Sequence, residues 1–411
     1  MFFKSGRSIS GMNSSLVELI PGELCYRDYM RNKVLILIGV TLFILTSCEK
    51  DKIEEEVEDL TGVPVLTVKT ILSDYKIIWG MDFIPGGDLI FGEKQGKLYR
   101  KNNETVTEIT GFPQVLSSGQ GGLLDIRVHP DYSKNGWIYA CYSASNPSGG
   151  GQLKLIRFRI NNNQVENIEN IFTTNGSNTW YGHYGSRIVF DREKYLYLSV
   201  GEGGAGSYGG PNTVNDNAQD RLSSWGKIHR LKDDGSIPAD NPVIPGNSGP
   251  TSIYTYGHRN PQGLTLNPET GEVWASEHGP RGGDEVNILV RGANYGWPFY
   301  SIGVNYDGTT ISSGHSAAGI EAPIHTWTPS IATSGLAFIT SNKFKSWKGN
   351  LLVSGLVSQK LIRYVVNGDK LVEEDVLLSD SGRVRNVIQA PDGSIYVSVE
   401  NPGRVIQIIP E

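Results

Sequence analysis

Six times along this chain, a turn carrying Gly or a charged residue runs straight into alternating aromatic and aliphatic residues. The six stretches are Gly87–Phe91, Gly136–Tyr139, Lys194–Leu198, Gly271–Ala275, Gly349–Val353 and Gly393–Ser398. Alternation with a period of two is the signature of a strand, and the turn before it makes each one half of a hairpin. Several follow a Pro-Asp or Asn-Pro turn, as at Pro130-Asp131, Asn267-Pro268 and Pro391-Asp392. The recurrences start about 45 to 80 residues apart, and the shorter intervals match a four-stranded propeller blade of about 40–50 residues. Longer intervals leave room for inserted loops. The expected fold is therefore all-β, a six-bladed β-propeller over residues 63–411, with ligands at one mouth of a central channel. A pair of β-sandwiches is the alternative.

Composition supports the β reading. Fifty Gly, 19 Tyr and 8 Trp in 411 residues suit a protein of many turns and aromatic strands. So much Gly is poorly tolerated in helical bundles. A net charge of −6 provides no electrostatic footprint for a nucleic-acid partner. Three Cys are too few for a disulfide scaffold.

The first 62 residues read as an address. Val34–Leu45 is apolar apart from Gly39 and Thr41, is preceded by Arg31 and Lys33, and is followed by Leu45-Thr46-Ser47-Cys48. The run is too short to span a bilayer and has the form of a secretory signal. Its ending looks like a bacterial lipobox, with lipidation at Cys48 as the expected anchor and an incidental Cys after a cleaved signal as the alternative. Residues 1–29 then read as an upstream extension ahead of a start at Met30, 30–47 as the lipoprotein signal peptide and 48–62 as an acidic tether. The expected location is the bacterial cell envelope, lipid-anchored and facing the periplasm or surface. Cys141, the remaining thiol, reads as a small buried hydrophobe.

Four segments are too rich in chemistry-bearing residues for ordinary turns. In Tyr181–Arg187, His183 sits among glycines, where a general base could approach a substrate closely; a structural loop histidine is the competing reading. In Gly257–Gly263, Arg259 and Asn260 offer donors suited to a carboxylate or carbonyl ligand, or else a surface Arg and a turn cap. Ser276–Glu285 combines acidic residues with exposed carbonyls, which suits Ca²⁺ or merely a solvated loop. Arg383 and Arg385 share one side of a strand, and with no acidic residue within Gly382–Val387 an anionic ligand is expected, against a solvated basic edge. Gly201–Gly206 mimics a dinucleotide loop, but Ser207–Pro211 cannot open the helix such a site needs.

Together these segments resemble the soluble aldose sugar (glucose/sorbosone) dehydrogenase family, which uses pyrroloquinoline quinone (PQQ). The resemblance runs from about residue 70 to 411 in the order expected of a six-bladed propeller. It is carried by Gln120–Leu124 with His129–Tyr132, His183–Arg187, Ala218–Asp220 through Gly226–Ile228, Asp234–Pro238, Gly257–Pro261, Glu277–Pro280 and Asn294–Pro298.

The resemblance implies oxidation of an aldose-type sugar to its lactone, with His183 as base and hydride passing to PQQ. It implies that Arg259 and Asn260 meet the quinone oxygens, that Gln120 is a further contact, and that Arg383 and Arg385 grip PQQ carboxylates. Backbone carbonyls of Gly279 and Pro280 would hold a Ca²⁺ beside PQQ, and Asp284, Glu285 and Tyr295 a second, structural Ca²⁺. Three positions depart from the family pattern. Val357 stands where a cofactor-contacting Lys is frequent, Gly182 where some members have an acidic partner for the base, and His278 where a Gln occurs. A calcium-dependent lactonase would not need the arginine pair, and a non-catalytic sugar-binding propeller is the remaining alternative.

Overall fold

The computed structural model describes residues 64–204 and 216–411, apart from 313 and 315. The signal, the tether and Cys48 lie outside the described residues. The described strands form six four-stranded antiparallel sheets. The first strand of each of blades one to five is Ile78–Phe83, Leu123–Val128, Ile188–Phe190, Pro261–Leu266 and Thr333–Phe338, and that of blade six is Arg383–Gln389. Each packs against its counterpart in the next blade, and blade six packs back on blade one, so these strands form a closed inner ring.

All six recurrent stretches prove to be the entry into the second strand of a blade, such as Leu89–Glu93, Leu196–Val200 and Val273–Glu277. Those three strands are buried at every residue, because a second strand is covered on both faces by neighbouring blades. That is why they write the strongest apolar pattern into the sequence. An outer strand such as Gln164–Thr173 is largely exposed and writes almost none. Fully buried rings such as Phe91, Phe158 and Tyr364 each contribute about 1.5–3 kcal/mol by leaving water.

Ring closure uses both ends of the described chain. The strand Leu66–Tyr75 is the outermost of blade six and pairs antiparallel with Gly403–Pro410, from Leu66 opposite Pro410 to Tyr75 opposite Gly403. The blades remain separate sheets, so radial repetition leaves only short, protected inner edges.

Residues in or immediately before the six inner strands also build a floor across the axis, one from each blade. Arg187 Nη1 donates to Asp125 at 2.8 Å, and its Nε to the Gln262 carbonyl at 2.9 Å. Arg385 Nη1 donates to Gln262 Oε1 at 2.6 Å and reaches Ser334 Oγ at 3.5 Å. Trp79 lies under both guanidiniums, with its ring 4.2 Å from Arg187 Cζ and 5.6 Å from Arg385 Cζ. The central channel is thus crossed at this level by a hydrogen-bonded layer. Burial lowers the Arg187 pKa to about 10, with Asp125 opposing that shift. Cys141 is a buried free thiol, in keeping with its reading as a small buried hydrophobe.

Candidate active site

In a four-stranded antiparallel blade, the connection into the first strand and the turn from second to third strand lie at the same end. The sequence places nearly all its chemistry in those two positions. Gln120, His183 and Arg259-Asn260 precede the first strands of blades two, three and four. Lys94, Glu202, His278–Gly283 and Val357 follow the second strands of blades one, three, four and five. Arg383 and Arg385 begin the inner strand of blade six, and Glu400 ends its second strand. All therefore gather at one mouth of the propeller.

His183 is held from two directions. Its Nδ1 lies 2.7–2.8 Å from both carboxylate oxygens of Glu202, and its backbone N–H donates to Gln120 Oε1 at 3.0 Å. Its backbone has a φ of 44°, in the left-handed region, following Gly182. Such a conformation in a non-Gly residue is held only by its surroundings and recurs at functional sites. The Nε2 atom has no partner among the described residues. Burial holds the His183 pKa below the usual imidazole value; Arg259 adds to this and Glu202 opposes it. The ring is therefore neutral near pH 7 and able to accept a proton.

Glu202 was missed by sequence reasoning, although the loop that carries it was singled out as a mimic of a dinucleotide site; Ser207–Pro211, on which its rejection rested, lie outside the described residues. Its glycines serve a different purpose. A side chain at Gly201 would collide with the His183 backbone, and one at Gly204 would lie 2.7 Å from Nδ1. The Gly201–Gly204 run lets a carboxylate-bearing loop lie directly against the histidine. It supplies the acidic partner that Gly182 does not.

Arg259 and Asn260 are both buried beside this pair. Asn260 Oδ1 accepts from the Gly185 N–H at 3.1 Å, while its Nδ2 is buried without a partner among the described residues. Arg259 Nη1 donates to the carbonyls of Gly279 (2.8 Å) and His278 (3.2 Å), and its Nε is likewise unpartnered. His278 Nε2 is a third buried, unpartnered atom, and burial with the charges of Arg259 and Arg385 holds that ring well below its ordinary pKa. Buried polar atoms normally find partners. Three orphans at one mouth mark a place built for a polar ligand.

Three cavities border His278, and two of them carry most of this chemistry. The larger, about 710 Å³, is bounded by Gly279, Pro280, Tyr306, Pro329 and Val357. The smaller, about 200 Å³, is bounded by Trp79, Lys94, Gln120, Arg383, Arg385 and Glu400.

The arginine pair requires a correction. Arg383 Nε donates to Glu400 Oε2 at 3.1 Å and Arg385 Nε to Oε1 at 2.6 Å. The two arginines thus have a carboxylate between them, supplied from 17 and 15 residues further along the chain. The hairpin register carried the signal, because Arg383 pairs directly across from Glu400.

The acidic loop also divides differently. Asp284 and Glu285 are consecutive in the strand Asp284–Ile288 and face opposite sides. Asp284 accepts from Gly279 N (2.9 Å), Ser330 Oγ (2.7 Å) and Thr333 N (3.3 Å), so its carboxylate is already occupied away from the other two. Glu285 and Tyr295 do line one small cavity, together with Glu277. Burial raises the Glu285 pKa well above the carboxylate range, and the adjacent Glu277 charge raises it further. Two buried carboxylates side by side fit a cation. The Tyr295 hydroxyl is taken up by the Ile288 carbonyl at 2.5 Å and by Val290 N–H. Among the described residues no group of three or more His, Cys, Asp or Glu side chains could hold a metal, which leaves backbone carbonyls as the donors beside Gly279 and Pro280. The Gly279 carbonyl is shared with Arg259.

Comparison with known proteins places this mouth in context. Residues 75–407 match the model of a family described as glucose/sorbosone dehydrogenase. An aldose sugar dehydrogenase of Escherichia coli (strain K12) is 36% identical over 341 residues, covering 81% of this chain and 90% of that one. The crystal structure of the soluble aldose sugar dehydrogenase from Escherichia coli in the apo-form superimposes with a TM-score of 0.78 at 34% identity, covering 84% of this chain and all of that one. The PQQ-bound form of an aldose sugar dehydrogenase from Streptomyces coelicolor has a TM-score of 0.68 at 28% identity, covering 85% of this chain and all of that one.

Proposed function

This chain belongs to the glucose/sorbosone dehydrogenase family, and on that premise we propose that it oxidises an aldose-type sugar to its lactone with PQQ and Ca²⁺ as cofactors. The observation that carries the reading is the His183–Glu202 pair, whose far nitrogen is unpartnered beside buried, unpartnered polar atoms of Arg259, Asn260 and His278.

Residues of this chain divide the work by position. His183 Nε2 accepts the proton of the sugar C1 hydroxyl. Glu202 keeps the other ring proton on Nδ1, fixes the ring plane and stabilises the imidazolium that forms. Arg259 and Asn260 present donors toward the electron-accepting end of the cofactor, and negative charge developing there is best stabilised by fixed donors. Gln120 orients the His183 backbone and borders the smaller cavity. Arg383 and Arg385 lie where cofactor carboxylates would be held. The carbonyls of Gly279 and Pro280 would hold a Ca²⁺ beside the quinone, and Glu285 with Glu277 a second ion. When bound, PQQ supplies the two-electron acceptor for the hydride leaving sugar C1. A propeller that only bound sugar would have no need of a carboxylate-held imidazole with an open nitrogen. Lipid anchoring at Cys48 and an envelope location belong to the same proposal and rest on residues 30–48 alone.

The test is dye reduction by the purified full-length protein with a panel of aldoses, with and without PQQ and Ca²⁺. Turnover that requires both supports the proposal. PQQ binding without turnover on any aldose would remove the sugar assignment, and no PQQ binding would return the sugar-binding propeller as the leading reading.

A further inference from the structure

The smaller cavity has a charge balance that the arginine pair alone does not explain. Glu400 bridges Arg383 and Arg385, so the three groups together carry about one net positive charge. A tricarboxylate such as PQQ would face less positive potential than two free arginines provide. The fifth-blade position where the family often has a cofactor-contacting Lys holds Val357, whose side chain is 61% exposed at the other cavity. Lys360 begins the next strand opposite Gly355 and does not border either cavity.

A different lysine does. Lys94 sits in the turn after the second strand of blade one and borders the smaller cavity with Gln120, Arg383 and Arg385. Its backbone is pinned on both sides: N–H donates to the Ile77 carbonyl, and its carbonyl accepts from Leu123 N, each at 2.8 Å. Gly122 leaves the space for this, because a side chain there would collide with the Lys94 carbonyl and crowd its Cγ. Lys94 Nζ donates to the Gly119 carbonyl at 2.6 Å, immediately before Gln120. An ammonium has three donors, so two remain for another acceptor. Burial and the Arg385 charge lower the Lys94 pKa while Glu400 raises it, so its charge acts within the same field as the arginine–glutamate group.

Resting on the PQQ reading above, we propose that Lys94 is a cofactor ligand of this chain, a third cation of the smaller cavity that takes a PQQ carboxylate in place of the lysine replaced by Val357. With Lys94 the four charged side chains bordering the cavity sum to two net positive charges instead of one.

The experiment is titration of full-length apoprotein with PQQ in the presence of Ca²⁺, followed by quenching of tryptophan fluorescence, with the PQQ trimethyl ester as the uncharged probe. Lys94→Met weakens PQQ binding about tenfold or more and ester binding much less, as expected for loss of a charge-assisted contact. Lys94→Arg stays within about threefold of the parent, since either cation can neutralise a carboxylate. Adding Val357→Lys to Lys94→Met recovers most of the lost affinity. Parent and Lys94→Met binding PQQ equally tightly would overturn the assignment while leaving the cofactor reading intact. Equal weakening of PQQ and ester would also overturn it, because Lys94 would then only clip the Gly119 loop. Failure of the parent to bind PQQ would overturn the functional reading and this inference with it.

Discussion

Blades three and four carry the same pair of residues at the same place. In each, a histidine before the first strand meets a glutamate after or at the end of the second, and each pair is 19 residues apart. His183 Nδ1 lies 2.7 Å from Glu202, and His258 Nδ1 lies 2.8 Å from Glu277. The difference is at the other nitrogen. His258 Nε2 is bonded to Thr255 Oγ1 at 2.8 Å, and the ring is fully buried and stacked on Tyr295 at 4.6 Å. His183 Nε2 has no such partner among the described residues. A histidine–glutamate pair is therefore not in itself a catalytic device. A second hydrogen bond turns it into a strut, and an open nitrogen leaves it free to act as a base. The strut still serves the site, because Glu277 Oε2 accepts the backbone N–H of Arg259 at 2.8 Å and sets where that residue begins.

Variants can break this contrast. The largest expected effect is that of His183→Ala, which lowers turnover by about 10²–10⁴ while PQQ affinity is nearly kept, the usual share of a general base; steady-state dye reduction and PQQ titration read the two separately. An unchanged rate would remove His183 from that role. Glu277→Gln takes a charge acceptor from the buried strut and costs about 1–3 kcal/mol of stability, read by urea unfolding. Turnover should fall only as far as Arg259 shifts. A stability unchanged within error would show that the strut carries no load.

Glu202→Gln is expected to lower turnover about tenfold, and its pH profile is the sharper test. His183 must be neutral to act, so activity is lost as pH falls through its pKa. Burial and Arg259 hold that pKa down, and Glu202 opposes them. Removing the Glu202 charge therefore moves the acidic limb of kcat/KM to lower pH, with Arg259 and His278 left as the facing groups. A limb moving to higher pH would contradict the assigned electrostatics. The smallest effect is that of Thr255→Ala, which opens the His258 nitrogen at a cost of about 1 kcal/mol by thermal or urea unfolding. No activity should appear in the Thr255→Ala, His183→Ala double variant, because the freed nitrogen faces packed protein. Recovered turnover would mean that an open nitrogen alone suffices.

How much of this was legible depended on how local each signal is. The six second strands are buried on both faces, so their aromatic and aliphatic alternation announces the propeller directly. The outermost strand of blade six was not announced as such, since Leu66–Tyr75 lies more than 300 residues from its partner and is half exposed. His183, Arg259, Asn260, Arg383 and Arg385 stood out because unusual residue types in Gly-rich turns need a reason. Glu202 hid in a loop whose glycines imitate a phosphate site. Asp284 and Glu285 were read as one cluster although strand alternation sends them to opposite sides.

From the sequence alone come the β class, the sixfold repeat and the turns that bear the chemistry, because hydrophobic period and turn composition act over a few residues. Tertiary structure alone decided which of two like histidines has an open nitrogen, that Glu400 already neutralises part of the arginine pair, and that Lys94 borders the same cavity. Each of these depends on groups brought together from different strands or blades. Burial, hydrogen-bond completion and net charge at a point are properties of that assembled neighbourhood, and no stretch of sequence carries them by itself.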